Sequence, residues 1–213
     1  MPNYFKLPLS TLTEKHSKVT EMEFLVEVLP PLSENGPWIA GGSLFRTKLG
    51  LPISTDIDIF FKNDQQMQEY KSKLRSKYEG KKFEFVTDSN SKYAHNIFIK
   101  YMGRDYKIQL ITTNYYDSAC KLLDNFDLNI CQIAYDGHSL YVAEGVMESI
   151  DNRQMSINTV NNASYVMLRC MKYAKLGFYM AKSDVDKFFH LIQKNNIVTV
   201  LSNEKEKDEY GGL

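Results

Sequence analysis

Two aspartates separated by one residue are the strongest chemical signal in this sequence. Asp56 and Asp58 lie in an alternating run, Asp-Ile-Asp-Ile-Phe-Phe, that ends at Phe61. In a β-strand alternate side chains share a face, so the run predicts both carboxylates on one face and Ile57 and Ile59 on the other. Neighbouring carboxylates repel each other unless a cation lies between them. Oxygen ligands in this arrangement suit Mg²⁺, with Mn²⁺ as an alternative, so Asp56 and Asp58 are the predicted metal ligands.

A glycine turn precedes this pair along the chain. Residues 38–40 predict a short buried strand, which Gly41 and Gly42 end. Glycine lets the backbone turn sharply and approach a bulky ligand, because no Cβ intervenes. Ser43 begins a predicted helix whose first N–H groups and positive dipole end suit a phosphate. We therefore predict that the backbone of Gly41 and Gly42, with the Ser43 hydroxyl, binds nucleotide phosphates.

Basic residues follow in the same predicted helix. Arg46 or Lys48 is predicted to add positive charge beside the phosphates. A phosphate cradle joined to a metal-binding carboxylate pair is the core of a phosphoryl-transfer site. The alternative is an ordinary glycine turn followed by a solvated edge strand.

The glycine turn and the Asp-x-Asp strand resemble the polymerase-β-like nucleotidyltransferase superfamily, whose signature is Gly-Gly or Gly-Ser, a spacer, then Asp-x-Asp or Asp-x-Glu. The resemblance implies an α+β fold: a small mixed β-sheet carrying the site on one face, helices on the other, and a short helical C-terminal segment. It also implies an enzyme that transfers a nucleoside monophosphate from an NTP, ATP or CTP, to a hydroxyl group and releases pyrophosphate. Asp56 and Asp58 would then be catalytic as well as metal-binding.

A second block is similar to bacterial-type CCA-adding enzymes and poly(A) polymerases. Residues 125–137 resemble the Arg-Arg-Asp-Phe-Thr-Ile-Asn-Ala block of that family, and Asp127 falls on its aspartate. Asn125 and Phe126 stand where the family has two arginines. Gln109 occupies the position of the third carboxylate that the superfamily often carries; its amide can bind a metal-bound water or a ribose, but it binds a divalent ion weakly. Asp127 is therefore the predicted third catalytic carboxylate, unless it only caps the strand that follows.

Residues 168–178 resemble the neck segment of the same family. Arg169 and Lys172 match its basic positions and are predicted to contact a nucleotide or an acceptor end, unless they form a solvated helix face. Ala163 and Val166 stand where the family has an aspartate and an arginine that read the incoming base. Base selection by that pair is therefore missing here.

The predicted organisation follows the same resemblance. The parts are a head over residues 1–150 that starts with an extended arm over 1–18, a neck-like segment over 151–202 and a disordered tail over 203–213. Helices are predicted over residues 21–28, 64–79, 163–180 and 185–194, and strands over 82–86, 96–101 and 106–111. The predicted buried or half-buried side of the neck helix consists of five apolar residues, Tyr165, Leu168, Met171, Tyr173 and Leu176.

Composition limits the classes of function. The chain has 213 residues, of which 43% are hydrophobic, enough for a folded core. Its 26 basic and 26 acidic residues cancel, so no whole-protein positive field for nucleic acid exists. Cys120, Cys131 and Cys170 form no metal-binding spacing, and their odd number favours free thiols in a reducing compartment. Without a signal peptide or a long apolar run, a cytoplasmic protein that does not enter a membrane is expected.

The sequence supports three hypotheses for the function, which differ in the acceptor of the nucleotide or in having none. The leading hypothesis is an RNA or tRNA 3′ end, because of the resemblance to CCA-adding enzymes. A second is nucleotidylation of a protein or a tRNA, as performed by small toxin–antitoxin proteins with the same catalytic head. A third is an inactive nucleotide-binding or interaction module, which Gln109 and the missing base-reading pair favour.

Overall fold

The Asp-Ile-Asp-Ile alternation forms a central strand of the main sheet, as its periodicity predicts. The computed structural model describes residues 3–12, 28–51, 56–78, 84–91, 93–101 and 104–194. The strands within these ranges are β1 (Tyr4–Pro8), β2 (Trp38–Ala40), β3 (Asp56–Phe60), β4 (Glu84–Asn90), β5 (Ala94–Tyr101), β6 (Arg104–Ile111), β7 (Ile133–Tyr135), β8 (Ser139–Ala143), β9 (Gln154–Met155) and β10 (Tyr179–Met180). The α-helices are α1 (Gly42–Lys48), α2 (Asp64–Tyr78), α3 (Ala119–Asp124), α4 (Val146–Asp151), α5 (Ala163–Ala174) and α6 (Lys182–Lys194).

Eight strands form one mixed sheet in the order β1-β8-β7-β2-β3-β6-β5-β4. β3 pairs in parallel with β6 on one side and antiparallel with β2 on the other. The remaining pairs in this sheet are antiparallel. The predicted α+β fold with a mixed sheet and flanking helices is confirmed, and β3 lies beside both the glycine turn and β6.

The back face of the sheet carries the main core. Ile57 and Ile59 are fully buried there, in one cluster with Met67 and Leu74 of α2. The apolar positions of α2 recur at helical spacing, so the helix buries a continuous stripe against the strands. This packing leaves the alternate side chains of β3 on the opposite face, where the site lies.

A smaller cluster covers part of that opposite face. Leu122 and Leu123 of α3 pack with Trp38 of β2 and Ala134 of β7. α3 therefore shields the β2–β7 side, whereas Asp56 and Asp58 remain only half-buried. The carboxylate pair thus lies at the edge of a covered region rather than in open solvent.

The C-terminal helical segment differs from its prediction in length and orientation. The predicted helix over residues 163–180 ends at Ala174 in the structure, and Gly177 turns the chain with a φ of 84°. After this turn β10 pairs in parallel with β9, a short strand that precedes α5, so the chain returns beside the start of the same segment. α6 begins earlier than predicted, at Lys182.

The predicted buried side of the neck helix is largely wrong. Tyr173 is buried and Leu176 is half-buried, but Leu168 and Met171 are 59% and 57% exposed. Tyr165 is also exposed. The helix instead packs through Ala163, Val166 and Tyr173, which share a stripe at helical spacing.

The N-terminal arm, predicted to be extended over residues 1–18, is extended over Tyr4–Pro8 and then forms a short 3-10 helix over Leu9–Leu12. β1 pairs with β8 and forms one edge of the main sheet, a pairing that the prediction of an arm did not include. Most of the predicted helix over residues 21–28, and the tail over residues 203–213, lie outside the described residues. Among the described residues, no helix is both long enough and apolar enough to cross a membrane.

Candidate active site

The two carboxylates predicted from the sequence lie side by side on the open face of β3. Ile57 and Ile59 are buried on the other face, so Asp56 and Asp58 project together toward the half-covered side. Withdrawal from water, and then the neighbouring charge of Asp56, raise the pKa of the Asp58 carboxyl to about 6. Nearby positive charges on Lys107, Arg169 and Lys172 oppose this rise in pKa. The pair is therefore a like-charge site in an environment that favours an additional cation.

Lys107 lies directly across from Asp56 on the neighbouring strand. The parallel register of β3 and β6 pairs Asp56 with Lys107 and Asp58 with Gln109. The Lys107 ammonium nitrogen is 3.6 Å from Oδ1 of Asp56, and its side chain is only 16% exposed. The Lys107 ammonium group thus forms an ion pair with a carboxylate that was predicted as a metal ligand.

Gln109 lies on the site face, as predicted, and is fixed by a neighbour on β5. Its side-chain amide Nε2 donates a hydrogen bond of 2.9 Å to Oδ1 of Asn96. Asn96 is the register partner of Gln109, so the two amides continue the line of polar groups that begins at Asp58. Gln109 therefore places a neutral amide where the superfamily often has a third carboxylate.

The glycine turn has a geometric requirement at Gly41. Its φ of 83° and ψ of −134° lie in a region that is almost restricted to glycine. A Cβ at this position would be 2.9 Å from the Phe126 ring. The Gly41 N–H donates to the carbonyl of Ile133 at 3.0 Å, so it joins the turn to β7. At Gly42 an added Cβ would only make van der Waals contact, 3.8 Å from the Tyr173 hydroxyl.

Ser43 carries an unsatisfied polar group at this turn. The residue is 2% exposed, and its hydroxyl oxygen has no hydrogen-bond partner within the described part of the chain. Buried hydroxyl groups without a partner are costly, so an unsatisfied one often marks a place where a ligand binds. The backbone N–H groups of Gly42 and Ser43 lie in the first turn of α1, where a helix offers no acceptor of its own.

Asp127 is buried and paired with the neck-like helix. Its carboxylate, on a residue only 6% exposed, accepts a hydrogen bond from the Arg169 guanidinium, and the two groups form an ion pair. The Asp127 carbonyl oxygen also accepts from the backbone N–H of Asn158 at 2.7 Å. Asp127 and Arg169, predicted separately as site residues, thus meet in one contact that ties α5 to the head. Lys172, one turn further along α5, is exposed.

The two basic residues of α1 have different surroundings. The Lys48 ammonium, on a side chain that is 7% exposed, donates to the carbonyl of Thr11 at 3.3 Å and lies 3.8 Å from Oδ1 of Asp151. These contacts use Lys48 to hold α1 against the N-terminal segment and α4. Arg46 is half-buried in the last turn of α1.

The donor atoms at the carboxylate pair fit a divalent cation. Asp56 and Asp58 provide oxygen ligands on one face, which is the chemistry that Mg²⁺ prefers. Among the described residues, no group of three or more His, Cys, Asp or Glu side chains could hold a metal. A cation at this site would therefore depend on two carboxylates together with neutral oxygens or the phosphates of a ligand.

Several contributors to the site were not predicted as such. The position of Lys107 on the site face could have been predicted from the alternation that places Gln109 there, because one residue separates the two. Asn96 required knowledge of the β5–β6 register. Phe126 was noted in the sequence only because it stands where the family has an arginine. In the structure it fills the space beside Gly41 and packs edge-on against Phe60, with 5.9 Å between ring centroids.

The fold and the arrangement of this site define a protein of the nucleotidyltransferase fold, and comparison with solved structures agrees. The chain is similar to a CCA-adding enzyme in complex with CTP, with a TM-score of 0.59, and to one in complex with ATP, with a TM-score of 0.61. Each is 15% identical to this chain and covers 92% of it. A tRNA-processing enzyme complex also matches, with a TM-score of 0.53 over 75% of the chain.

The chain belongs to the Gabija anti-defense 2 family, whose sequence model matches residues 5–153. A protein of Bacillus phage SPbetaL7 named Gabija anti-defense 2 is 24% identical to it over 193 residues, which are 88% of this chain. The match covers 44% of that phage protein, and the matches to the two CCA-adding enzymes cover 47% and 48% of their chains. The chain thus spans less than half the length of these relatives.

Proposed function

We propose that this protein is a metal-dependent nucleotidyltransferase that moves a nucleoside monophosphate from an NTP to a hydroxyl group and releases pyrophosphate. The observation that carries the proposal is the position of the Asp56–Asp58 pair. The two carboxylates face the half-covered side of the sheet, and β2, the strand next to β3, ends in the glycine turn. The unsatisfied Ser43 hydroxyl in that turn supports phosphate binding. Structural neighbours in complex with CTP and ATP support an NTP as the donor.

Each group of the site has a defined role in this proposal. Asp56 and Asp58 would hold Mg²⁺, which when bound would neutralise phosphate charge and lower the pKa of the attacking hydroxyl. The Gly42 and Ser43 N–H groups and the Ser43 hydroxyl bind the phosphates, while Gly41 shapes the turn.

The surrounding polar side chains complete the assignment. Gln109, held by Asn96, orients a ribose or a water molecule. Arg46 and Lys172 supply positive charge to the triphosphate or the acceptor. Lys48 is omitted from the proposed nucleotide contacts, because its ammonium is engaged by Thr11 and Asp151.

Asp127 and Arg169 act together at the boundary between the head and α5. The Asp127 carboxylate is buried, and the Arg169 guanidinium engages it through a hydrogen bond and an ion pair. We therefore propose that Asp127 mainly positions Arg169 beside the Asp58 carboxylate, whose pKa responds to the arginine charge. This role replaces the predicted one of a third catalytic carboxylate.

An RNA or tRNA 3′ end is the first candidate acceptor, supported by the CCA-adding neighbours and by the cations around the site. A protein acceptor is the second candidate, and family membership favours it. The phage relative is named for anti-defense against Gabija, so we propose that this chain also counters that defense and that its acceptor can be a defense component. Its place of action, predicted as cytoplasmic, stays a prediction.

Transfer of label tests the proposal and separates the acceptors. The purified protein is incubated with Mg²⁺, each α-³²P-labelled NTP, and either total RNA or a lysate that contains the Gabija system. Label that resists protease and is removed by ribonuclease supports the RNA acceptor, whereas a protease-sensitive labelled band supports the protein acceptor. Asp58→Asn should abolish either signal, and Asp105→Asn, an exposed aspartate on β6, is the matched control. Binding of NTP without any label transfer would show an inactive nucleotide-binding module instead.

A further inference from the structure

Lys107 is the cationic side chain closest in register to the carboxylate pair, and the proposed mechanism gives it no role. We propose that the Lys107 ammonium group is a built-in counter-cation. In the nucleotide-free protein it pairs with the Asp56 carboxylate and competes there with a divalent cation. The inference rests on the proposed function in one respect, that Asp56 and Asp58 form the metal site. Through Lys107, tight metal binding would depend on bound nucleotide.

The geometry that supports this role is fixed by the backbone. Parallel pairing of β3 and β6 places Asp56 and Lys107 at the same level on neighbouring strands. Their charged atoms are 3.6 Å apart, and both side chains are mostly withdrawn from solvent, at 25% and 16% exposure. Two opposite charges at this distance attract more strongly than an exposed surface pair, because little water screens them.

The other cations of the site are placed differently. Arg169 is engaged by the Asp127 carboxylate, and Lys172 is exposed on α5. Gln109, beside Asp58 in the register, is neutral. Lys107 therefore directly neutralises a proposed metal ligand, whereas Arg169 is paired with a carboxylate outside that ligand pair.

Competition at Asp56 has a consequence for the order of binding. A divalent cation that binds without nucleotide must displace the ammonium from Asp56, which weakens its affinity. A bound triphosphate brings negative charge that can accept the released ammonium, so the metal then binds without leaving Lys107 unpaired. Metal and nucleotide should consequently favour each other's binding, and by linkage this coupling is reciprocal. Removal of Lys107 should reduce the coupling.

Binding of Mn²⁺ alone, measured by electron paramagnetic resonance of the free ion, tests the inference directly. Lys107→Met should bind Mn²⁺ at least tenfold more tightly than the wild type in the absence of nucleotide. With a non-hydrolysable ATP analogue present, the two affinities should differ much less. Lys107→Arg should resemble the wild type, and Lys100→Met, which removes the same charge from an exposed position on β5, is the control. Lys107→Gln serves as a second variant, and circular dichroism verifies that each variant is folded.

Two results would overturn the inference in distinguishable ways. If Mn²⁺ binding is lost in Asp58→Asn but is equally tight in wild type and Lys107→Met, the counter-cation role is wrong while the metal site stands. If Asp58→Asn leaves Mn²⁺ binding unchanged both in the wild-type protein and in Lys107→Met, the carboxylate pair is not a metal site. The proposed function then fails together with the role of Lys107.

Discussion

Asp58 is withdrawn from water beside a second carboxylate, and both conditions raise the pKa of its carboxyl. Its pKa is raised from 3.8 to about 6, mainly by burial and then by Asp56. The folded protein therefore binds this proton more tightly than the unfolded chain does. The resulting contribution to stability is complete below about pH 4 and is lost as the pH rises through about 6.

This shift predicts a pH-dependent difference between the wild type and Asp58→Asn. Measured by urea unfolding in EDTA, the wild type should lose stability relative to the variant between about pH 4 and pH 7, by at most about 3 kcal/mol. Mg²⁺ should return part of that stability above pH 6, because the ionised pair then has its cation. Asp105→Asn should show no such trend. A constant difference between wild type and Asp58→Asn at every pH would contradict the like-charge environment of Asp58.

The ion pair between Asp127 and Arg169 predicts an asymmetry between its two partners. Arg169→Ala leaves a nearly inaccessible carboxylate without its partner, which should cost about 3–5 kcal/mol of unfolding free energy. Asp127→Asn leaves an arginine whose side chain is 43% exposed and can be hydrated, so its cost should be smaller. The order of the two values is measured by urea unfolding at pH 7. If Asp127→Asn is the more damaging change, the carboxylate does not depend on Arg169.

At the scale of elements, the turn between β2 and α1 combines an unusual backbone conformation with close packing. Gly41→Ala should destabilise the protein by more than about 2 kcal/mol, because both its dihedral angles and the Phe126 ring exclude a Cβ. Gly145→Ala is the control. Gly145 has a φ of 76° in the ordinary left-handed region and no atom within 4 Å of an added Cβ, so the cost there should be only about 1 kcal/mol. Equal losses in thermal unfolding would show that Phe126 does not restrict Gly41.

The elements also show which parts of the site could be predicted. The Asp56–Asp58 face and the Gly41 turn follow from local periodicity and from glycine's backbone freedom, and both are found where expected. The proximity of Lys107 to Asp56 depends on the register between β3 and β6, which are separated in the chain by α2, β4 and β5. Alternation determines which face a residue occupies, but not which residue of another strand lies opposite.

Helix α5 illustrates a different limit. Its apolar residues cover more of the helix circumference than one packing face needs, so periodicity allowed several orientations. The orientation found is the one in which Tyr173 packs edge-on against Phe45, 5.1 Å between ring centroids, and its hydroxyl lies 3.2 Å from Sγ of Cys131. This contact turns Leu168 and Met171 toward solvent. A tertiary contact with the helix after the glycine turn, rather than the helix's own pattern, determines its buried side.

At the scale of the whole molecule, the chain combines a nucleotidyltransferase fold with membership in an anti-defense family. The Asp56–Asp58 pair and the glycine turn at residues 41–42 are present, whereas Gln109, Ala163 and Val166 stand where the sequence resemblance predicts a third carboxylate and a base-reading pair. In the proposed function, these differences favour modification of a particular acceptor over selection of a particular base. The proposed metal site, with the Lys107 ammonium group beside Asp56, is the feature on which the proposed activity depends most.

Pyrophosphate release by the purified protein is the measurement that tests this account most directly. With Mg²⁺, an NTP and the acceptor that takes up label, the wild type and Asp105→Asn should release pyrophosphate at similar rates. Asp56→Asn and Asp58→Asn should each reduce the rate at least a hundredfold, because one carboxylate cannot hold in place the cation that neutralises the triphosphate charge. Both variants should remain folded and bind NTP in the absence of metal about as well as the wild type. Release by either variant at the wild-type rate would contradict nucleotidyl transfer at the Asp56–Asp58 pair.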